Sequence, residues 1–197
     1  MSDFMVSGGF GVFAPILAVF VTNQISGGSI ATVGIAAAIV QIVKVIFQIP
    51  IAHFLDKDHG EYDDFFSMIF GSFLVALVPF LYLFADKIAH VYIIQGLYGL
   101  GLAFLVPPWY AIFSRHLDKM NENIEWSIES VSIGIAGALS AGIGGFLAQK
   151  FGFNIVFFVG GVVSLFGAFM QTKIYGDIRA KVPRGTVRAT PDKAPGV

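Results

Sequence analysis

Residues 30–57 read IATVGIAAAIVQIVKVIFQIPIAHFLDK, an apolar run long enough to cross a bilayer as one helix, with Lys44 near its middle. Gln41, Lys44 and Gln48 stand at i, i+3 and i+7, so a helix gathers all three on one face. Insertion scales penalise a lysine at the bilayer centre by roughly 2.5–3.5 kcal/mol. The stripe is therefore expected to face a wet cavity or a polar partner and to turn away from lipid.

The rest of the chain has the same character. Of its 197 residues, 56% are hydrophobic and only 13% charged, against about 25% charged in soluble domains. Phe4–Val43, Phe65–Ala85, Ile88–Ser114, Ser130–Gln149 and Phe151–Thr172 hold no Asp, Glu, Lys or Arg. Each reaches the ~20 residues needed to cross the hydrocarbon core. The first is twice that length, and residues 23–29 (NQISGGS) supply the turn chemistry that divides it. With the Lys44 helix this makes an all-α integral membrane protein of six spans: 4–22, 30–55, 65–85, 90–113, 127–149 and 153–173. Residues 1–173 form the bundle. Residues 174–197 read as a polar tail without an apolar face, expected to be disordered.

There is no cysteine, hence no disulfide framework and no thiolate chemistry. Met1-Ser2-Asp3 lacks a basic region and the first apolar run is of full span length, so no cleaved signal peptide is expected. A net charge of −1 argues against nucleic acid as a partner. The charge is unevenly placed. Six spans put Lys57, Arg115, Lys119, Lys173, Arg179, Lys181, Arg184, Arg188 and Lys193 on one side, against Lys87 and Lys150 on the other. The positive-inside rule then puts both termini in the cytoplasm of a multi-pass protein of the cell (inner) membrane. Copies that pair should do so in parallel.

Spans one and four are both interrupted. The first holds Gly8, Gly9, Gly11 and Pro15, the fourth Gly96, Gly99, Gly101, Pro107 and Pro108. Paired Gly/Pro-interrupted helices in corresponding positions, three spans apart, point to a transporter's binding site; Gly11, Pro15, Gly101 and Pro107 are the candidate hinges. Gly and Pro are also simply commoner in membrane helices. In span five, Gly134, Ala138 and Gly142, and Gly137, Ala141 and Gly145, form small-residue ridges suited to close helix packing. Spans three and six are Phe-rich and nearly free of polar groups, and are expected to face lipid.

Three stretches resemble the major facilitator superfamily of secondary transporters. After span two, Ala52-His53-Phe54-Leu55-Asp56-Lys57-Asp58-His59-Gly60-Glu61 resembles that family's Gly-x-x-x-Asp-Arg/Lys-x-Gly-Arg/Lys-Arg/Lys loop: Asp56 and Lys57 match, Ala52 replaces the first glycine, Gly60 comes one residue late, and Glu61, Tyr62, Asp63 and Asp64 replace the basic pair. Gln95-Gly96-Leu97-Tyr98-Gly99-Leu100-Gly101 is similar to the family's fourth helix, with Gln95 where an arginine often stands. Residues 142–153 (GIGGFLAQKFGF), with Phe157, resemble its turn from the fifth to the sixth helix. The resemblance covers residues 4–173. It implies one half of such a transporter, built as a 3+3 repeat. It also implies a second half, which a second copy would supply as a parallel homodimer with its twofold axis along the membrane normal.

Several side chains are candidates for the pathway. Lys44, Gln41, Gln48, Gln95, Tyr98, Asn23 and Gln24 are the solute-binding candidates; Lys44 is alternatively a structural lysine that snorkels or bonds a carbonyl. Asp56, Lys57 and Glu129 are candidates for gating or coupling. The dipole of span five also favours an acid near that helix N-terminus, and by the same logic and by resemblance Asp56 is expected to dock on a partner's span five. Trp109 and Tyr110 are cavity rim groups or interface anchors. His53, Asp56 and His59 fan around about 300° of a helix and do not converge, so no metal site is expected. No cofactor and no catalysis are expected either, since no nucleophile–base pair or phosphate loop appears. The expected function is a half-size secondary transporter or facilitator that moves a small polar or anionic solute by rocker-switch alternating access. The alternatives are a non-transporting membrane assembly protein, or one subunit of a heterodimeric transporter.

Overall fold

A computed structural model describes Val12 and residues 15–57, 61–118 and 120–176. Gly8, Gly9, Gly11, His59 and the tail from 177 onward lie outside the described residues, as does most of the expected first span. Six helices follow one another: α1 (Pro15–Gln24), α2 (Ile30–Leu55), α3 (Glu61–Tyr82), α4 (Ile88–Arg115), α5 (Glu122–Phe151) and α6 (Phe153–Thr172). The last five are long and apolar enough to cross a membrane.

The helix starts and stops have local causes. Ser29 caps α2 in a reciprocal box, its Oγ accepting from the Thr32 N–H while Thr32 Oγ1 accepts from the Ser29 N–H. That arrangement satisfies two orphan donors. The Ser26 N–H donates to the Asp86 carbonyl over 3.0 Å, tying the α1–α2 turn to the α3–α4 turn. Between α5 and α6 the chain reverses through Gly152 alone, at φ 85°, a conformation only glycine adopts freely. α3 and α5 begin four and five residues ahead of the expected span starts at 65 and 127. Their first turns carry Glu61, Asp63 and Asp64, and Glu122 and Glu125, which the positive end of a helix dipole favours.

Two clusters hold the bundle at its two ends. At the end bearing Asp86, Phe20 and Val21 of α1, Val78 and Tyr82 of α3, Val91 and Ile94 of α4 and Phe157 of α6 are buried together. The Phe20 ring meets Phe157 edge-on at 4.7 Å, and Tyr82 stacks on Phe157 at 5.3 Å. At the end bearing Asp64, Phe65 and Met68 are covered by Leu105, Trp109, Ile112, Ile174 and Tyr175.

α3 sits between α4 and α6, and half of its apolar window is buried, against 17% for α2 and 11% for α5. The expectation that spans three and six simply face lipid therefore needs correcting. Each has one buried face and one exposed apolar stripe: Phe66, Phe70, Leu77 and Leu81 on α3, and Ile155, Phe158, Val162, Phe166 and Phe169 on α6. The helices with most surface to spare are α2 and α5.

Candidate functional site

Lys44 lies roughly 21 Å along a helix of about 39 Å, at 1.5 Å rise per residue. α2 packs on α4 through a ridge of every fourth residue, Thr32, Ala36 and Val40, all buried. Lys44 and Gln48 continue that ridge, half-buried, while Gln41 is exposed. Because each four-residue step drifts about 40° around the helix, the three polar residues fall along the border between the α4 contact and the open side of α2. The sequence places the amine on this border because the ridge turns polar where it leaves α4.

The closest crossing sits one turn away. A Cβ on Gly99 of α4 would stand 2.5 Å from the Val40 carbonyl oxygen, so glycine at 99 sets how near α2 comes to α4. Gly71 and Gly101 play the same part between α3 and α4: a Cβ on Gly71 would lie 2.6 Å from the Gly101 oxygen, and one on Gly101 3.0 Å from Val75 Cγ2. Gly101, singled out as a hinge, is thus pressed against α3. Pro107 and Pro108 lie inside α4, which runs on to Arg115. Pro15 opens the described part of α1.

The other solute-binding candidates are not gathered around Lys44. Gln95 is 6% exposed, with its side chain beside the Tyr82 hydroxyl, turned into the α3–α4 contact and away from the open side. Tyr98 packs against the Asp86-end cluster. Asn23 and Gln24 are exposed where α1 ends, on the turn tied to Asp86 and roughly 20 Å of helix from Lys44. Asp56 and Lys57 follow α2 at the opposite end, both exposed, and Glu129 is half-buried on α5.

At the Asp64 end an ion pair appears that sequence reading did not isolate. Arg115 Nη1 donates to Asp64 Oδ2 over 2.5 Å, pinning the end of α4 to the start of α3 across 51 residues of sequence. Trp109 and Tyr110, read as rim groups or interface anchors, stand against α5. With Phe113 they enclose Trp126 of α5 at ring separations of 6.2, 5.9 and 4.7 Å. This aromatic clasp joins the adjoining ends of α4 and α5. Only the pairing of Trp126 with a helix end could have signalled it, and one sequence does not reveal pairing. Beside it, an open furrow of about 490 Å³ runs between α2, α3 and α4, lined by Pro50, Ile51, Phe54, Leu55, Phe66, Phe70 and Phe104. Its polar lining is Asp63 and Ser67, and Ser67 already donates to the Phe104 carbonyl. A furrow so apolar suits lipid chains better than a polar solute.

The small ridges of α5 are the clearest departure from expectation. A Cβ added at Gly134, Gly137, Gly142 or Gly145 meets nothing within 4 Å, whereas one at Gly144 would stand 1.8 Å from the Val12 oxygen. The close approach to α5 thus comes at Gly144, from Val12 ahead of α1, and the ridges stay open among the described residues.

Comparison with known proteins adds the family. No curated protein matches the chain. The family model described as Major Facilitator Superfamily matches residues 1–192, the six helices and the segment that follows them. With its five bilayer-length apolar helices, this multi-pass membrane protein belongs to the Major Facilitator Superfamily, a family of secondary transporters.

Proposed function

We propose that this chain acts as one half of a transporter that works as a parallel homodimer. Two copies rock about a twofold axis along the membrane normal and open a midplane cavity to each side in turn. α1, α2, α4 and α5 line the cavity, and Lys44 holds a small polar or anionic solute, with Gln41 and Gln48 beside it.

The observation that carries this reading is the position of Lys44. Lys44 is half-buried about midway along an apolar helix of bilayer length, and at the bilayer centre lipid would penalise its charge by roughly 2.5–3.5 kcal/mol. A second bundle over Lys44 leaves room for water and turns the cost into a binding contact. The sparse burial of α2 and α5 and the glycine ridges of α5, open among the described residues, support a partner over these helices. The bias of basic residues toward the Asp64 end supports a parallel arrangement with that end in the cytoplasm. In this reading Asp56, Lys57 and Glu129 take part in closing it.

Native mass spectrometry and crosslinking in lipid, paired with solute uptake into proteoliposomes, test the reading. The expected result is a dimer whose flux is lost in Lys44→Leu. Monomers that transport normally would defeat it. Gln95, buried where an arginine often stands, and Glu61, Tyr62, Asp63 and Asp64 in place of a basic pair favour a second reading, a membrane assembly partner without a pathway. Under that reading Lys44→Leu folds better and changes no flux. Dimers that form only with a different half-size subunit would make the chain part of a heterodimer.

A further inference from the structure

The chain does not leave the bundle where α6 ends. After Thr172 it turns back, and Ile174 and Tyr175 pack on Phe65 and Met68 of α3. The Tyr175 ring stands 5.5 Å from Phe65 and 5.9 Å from Tyr62. Whatever follows Gly176 is thereby delivered to the first turn of α3.

That turn is acidic, carrying Glu61, Asp63 and Asp64, with Asp56 just ahead in sequence. Asp64 is taken by Arg115. Glu61 is different. It is 8% exposed, and its buried Oε2 has no hydrogen-bond partner among the described residues. A buried carboxylate is tolerated only when a donor or a cation meets it. Asp63, half-buried at the rim of the furrow, has no ion pair among the described residues either.

Residues 177–197 read DIRAKVPRGTVRATPDKAPGV, with Arg179, Lys181, Arg184, Arg188 and Lys193 against Asp177 and Asp192. Arg179 follows Tyr175 by four residues, an extended reach of at most about 14 Å. We propose that the segment beginning at Asp177 docks back on the first turn of α3, with Arg179 and Lys181 bringing the positive charge that Glu61 and Asp63 lack. Anionic lipid headgroups are the competing destination for such a basic segment. They are disfavoured here because the surface on which Tyr175 sets the segment down is itself negative and would repel them. The strap ties the end of α6 to the connection that carries Asp56 and Lys57, and it stands whether or not the chain pairs with a second copy.

Limited trypsinolysis of the full chain in uncharged detergent, with cut sites read by intact mass, tests this. Cleavage after Arg179 and Lys181 is expected at least about tenfold slower than after Arg188 and Lys193, the protection of a docked segment held by charge-assisted contacts. Glu61→Gln, and separately the less buried Asp63→Asn, should bring the two pairs of sites toward one rate, as should high salt. Equal rates in the unmodified chain would overturn the proposal. So would slow cleavage that persists in both acid variants, or protection that appears only with vesicles of anionic lipid and ignores those substitutions. The last outcome would make the membrane surface the partner.

Discussion

Glycines 99, 134 and 144 look alike in the sequence, yet the structure gives them different work. At 99 a methyl group would meet the Val40 carbonyl oxygen at 2.5 Å, whereas at 134 it would meet nothing within 4 Å among the described residues. Gly99→Ala is therefore expected to destabilise the bundle by about 1–3 kcal/mol, the usual cost of forcing atoms into a packed contact. Gly134→Ala should be neutral or slightly stabilising, since alanine is the better helix former by up to about 1 kcal/mol. Thermal unfolding of the two variants in one detergent checks the contrast, and similar melting shifts would contradict it. Lys44 poses the opposite trade. Leucine there removes an intramembrane charge, so Lys44→Leu should raise the melting temperature while solute flux falls away. A variant that unfolds more easily would mean that the amine is held by a structural partner.

At the scale of the helices, hydropathy located the membrane-crossing parts but not the helices themselves. α2 runs Ile30–Leu55 and α6 Phe153–Thr172, close to the spans read at 30–55 and 153–173, because both are flanked by clear stops: Ser29 ahead of α2, Gly152 ahead of α6. α3 and α5 start earlier than their charge-free runs. An acid looks like the end of a span to a hydropathy argument, yet at a helix N-terminus it faces the positive end of the dipole. The same acids conceal the Asp64–Arg115 pair, since nothing in one sequence says which of several carboxylates at that end meets Arg115. That pair gives a sharper test. Asp64→Asn leaves the partly exposed Arg115 without its anion and should cost about 1.5–3 kcal/mol, the usual range for a hydrogen bond between charged groups. Replacing both, Asp64→Asn with Arg115→Gln, should recover much of the loss. Hydrogen exchange at the start of α3 and the end of α4 reads both, and an additive double variant would mean that the two side chains do not depend on each other.

For the whole molecule the central question is what covers α2 and α5. Sequence reading found the family by the order and spacing of three motifs. It could not tell an intrachain ridge from an open one, because facing direction depends on how the helices are assembled. Gly144 lay outside the two ridges singled out, and among the described residues it alone of the α5 glycines is closely approached, by Val12. A paired contrast follows from that placement. Gly144→Leu would drive a side chain into the backbone at Val12, so the isolated bundle should lose stability. Gly142 is exposed and an added Cβ meets nothing within 4 Å among the described residues, so Gly142→Leu should leave the bundle's melting temperature unchanged. If the Gly142 side is where a second copy seats, a leucine there holds the backbones apart. Interhelical contacts of this kind are worth about 1–2 kcal/mol, so dimer affinity should fall by about tenfold. Dimer dissociation measured in lipid nanodiscs separates the cases. An unchanged dimer in Gly142→Leu, with the bundle intact, would move the interface off α5 and leave the polar border of α2 to be covered some other way.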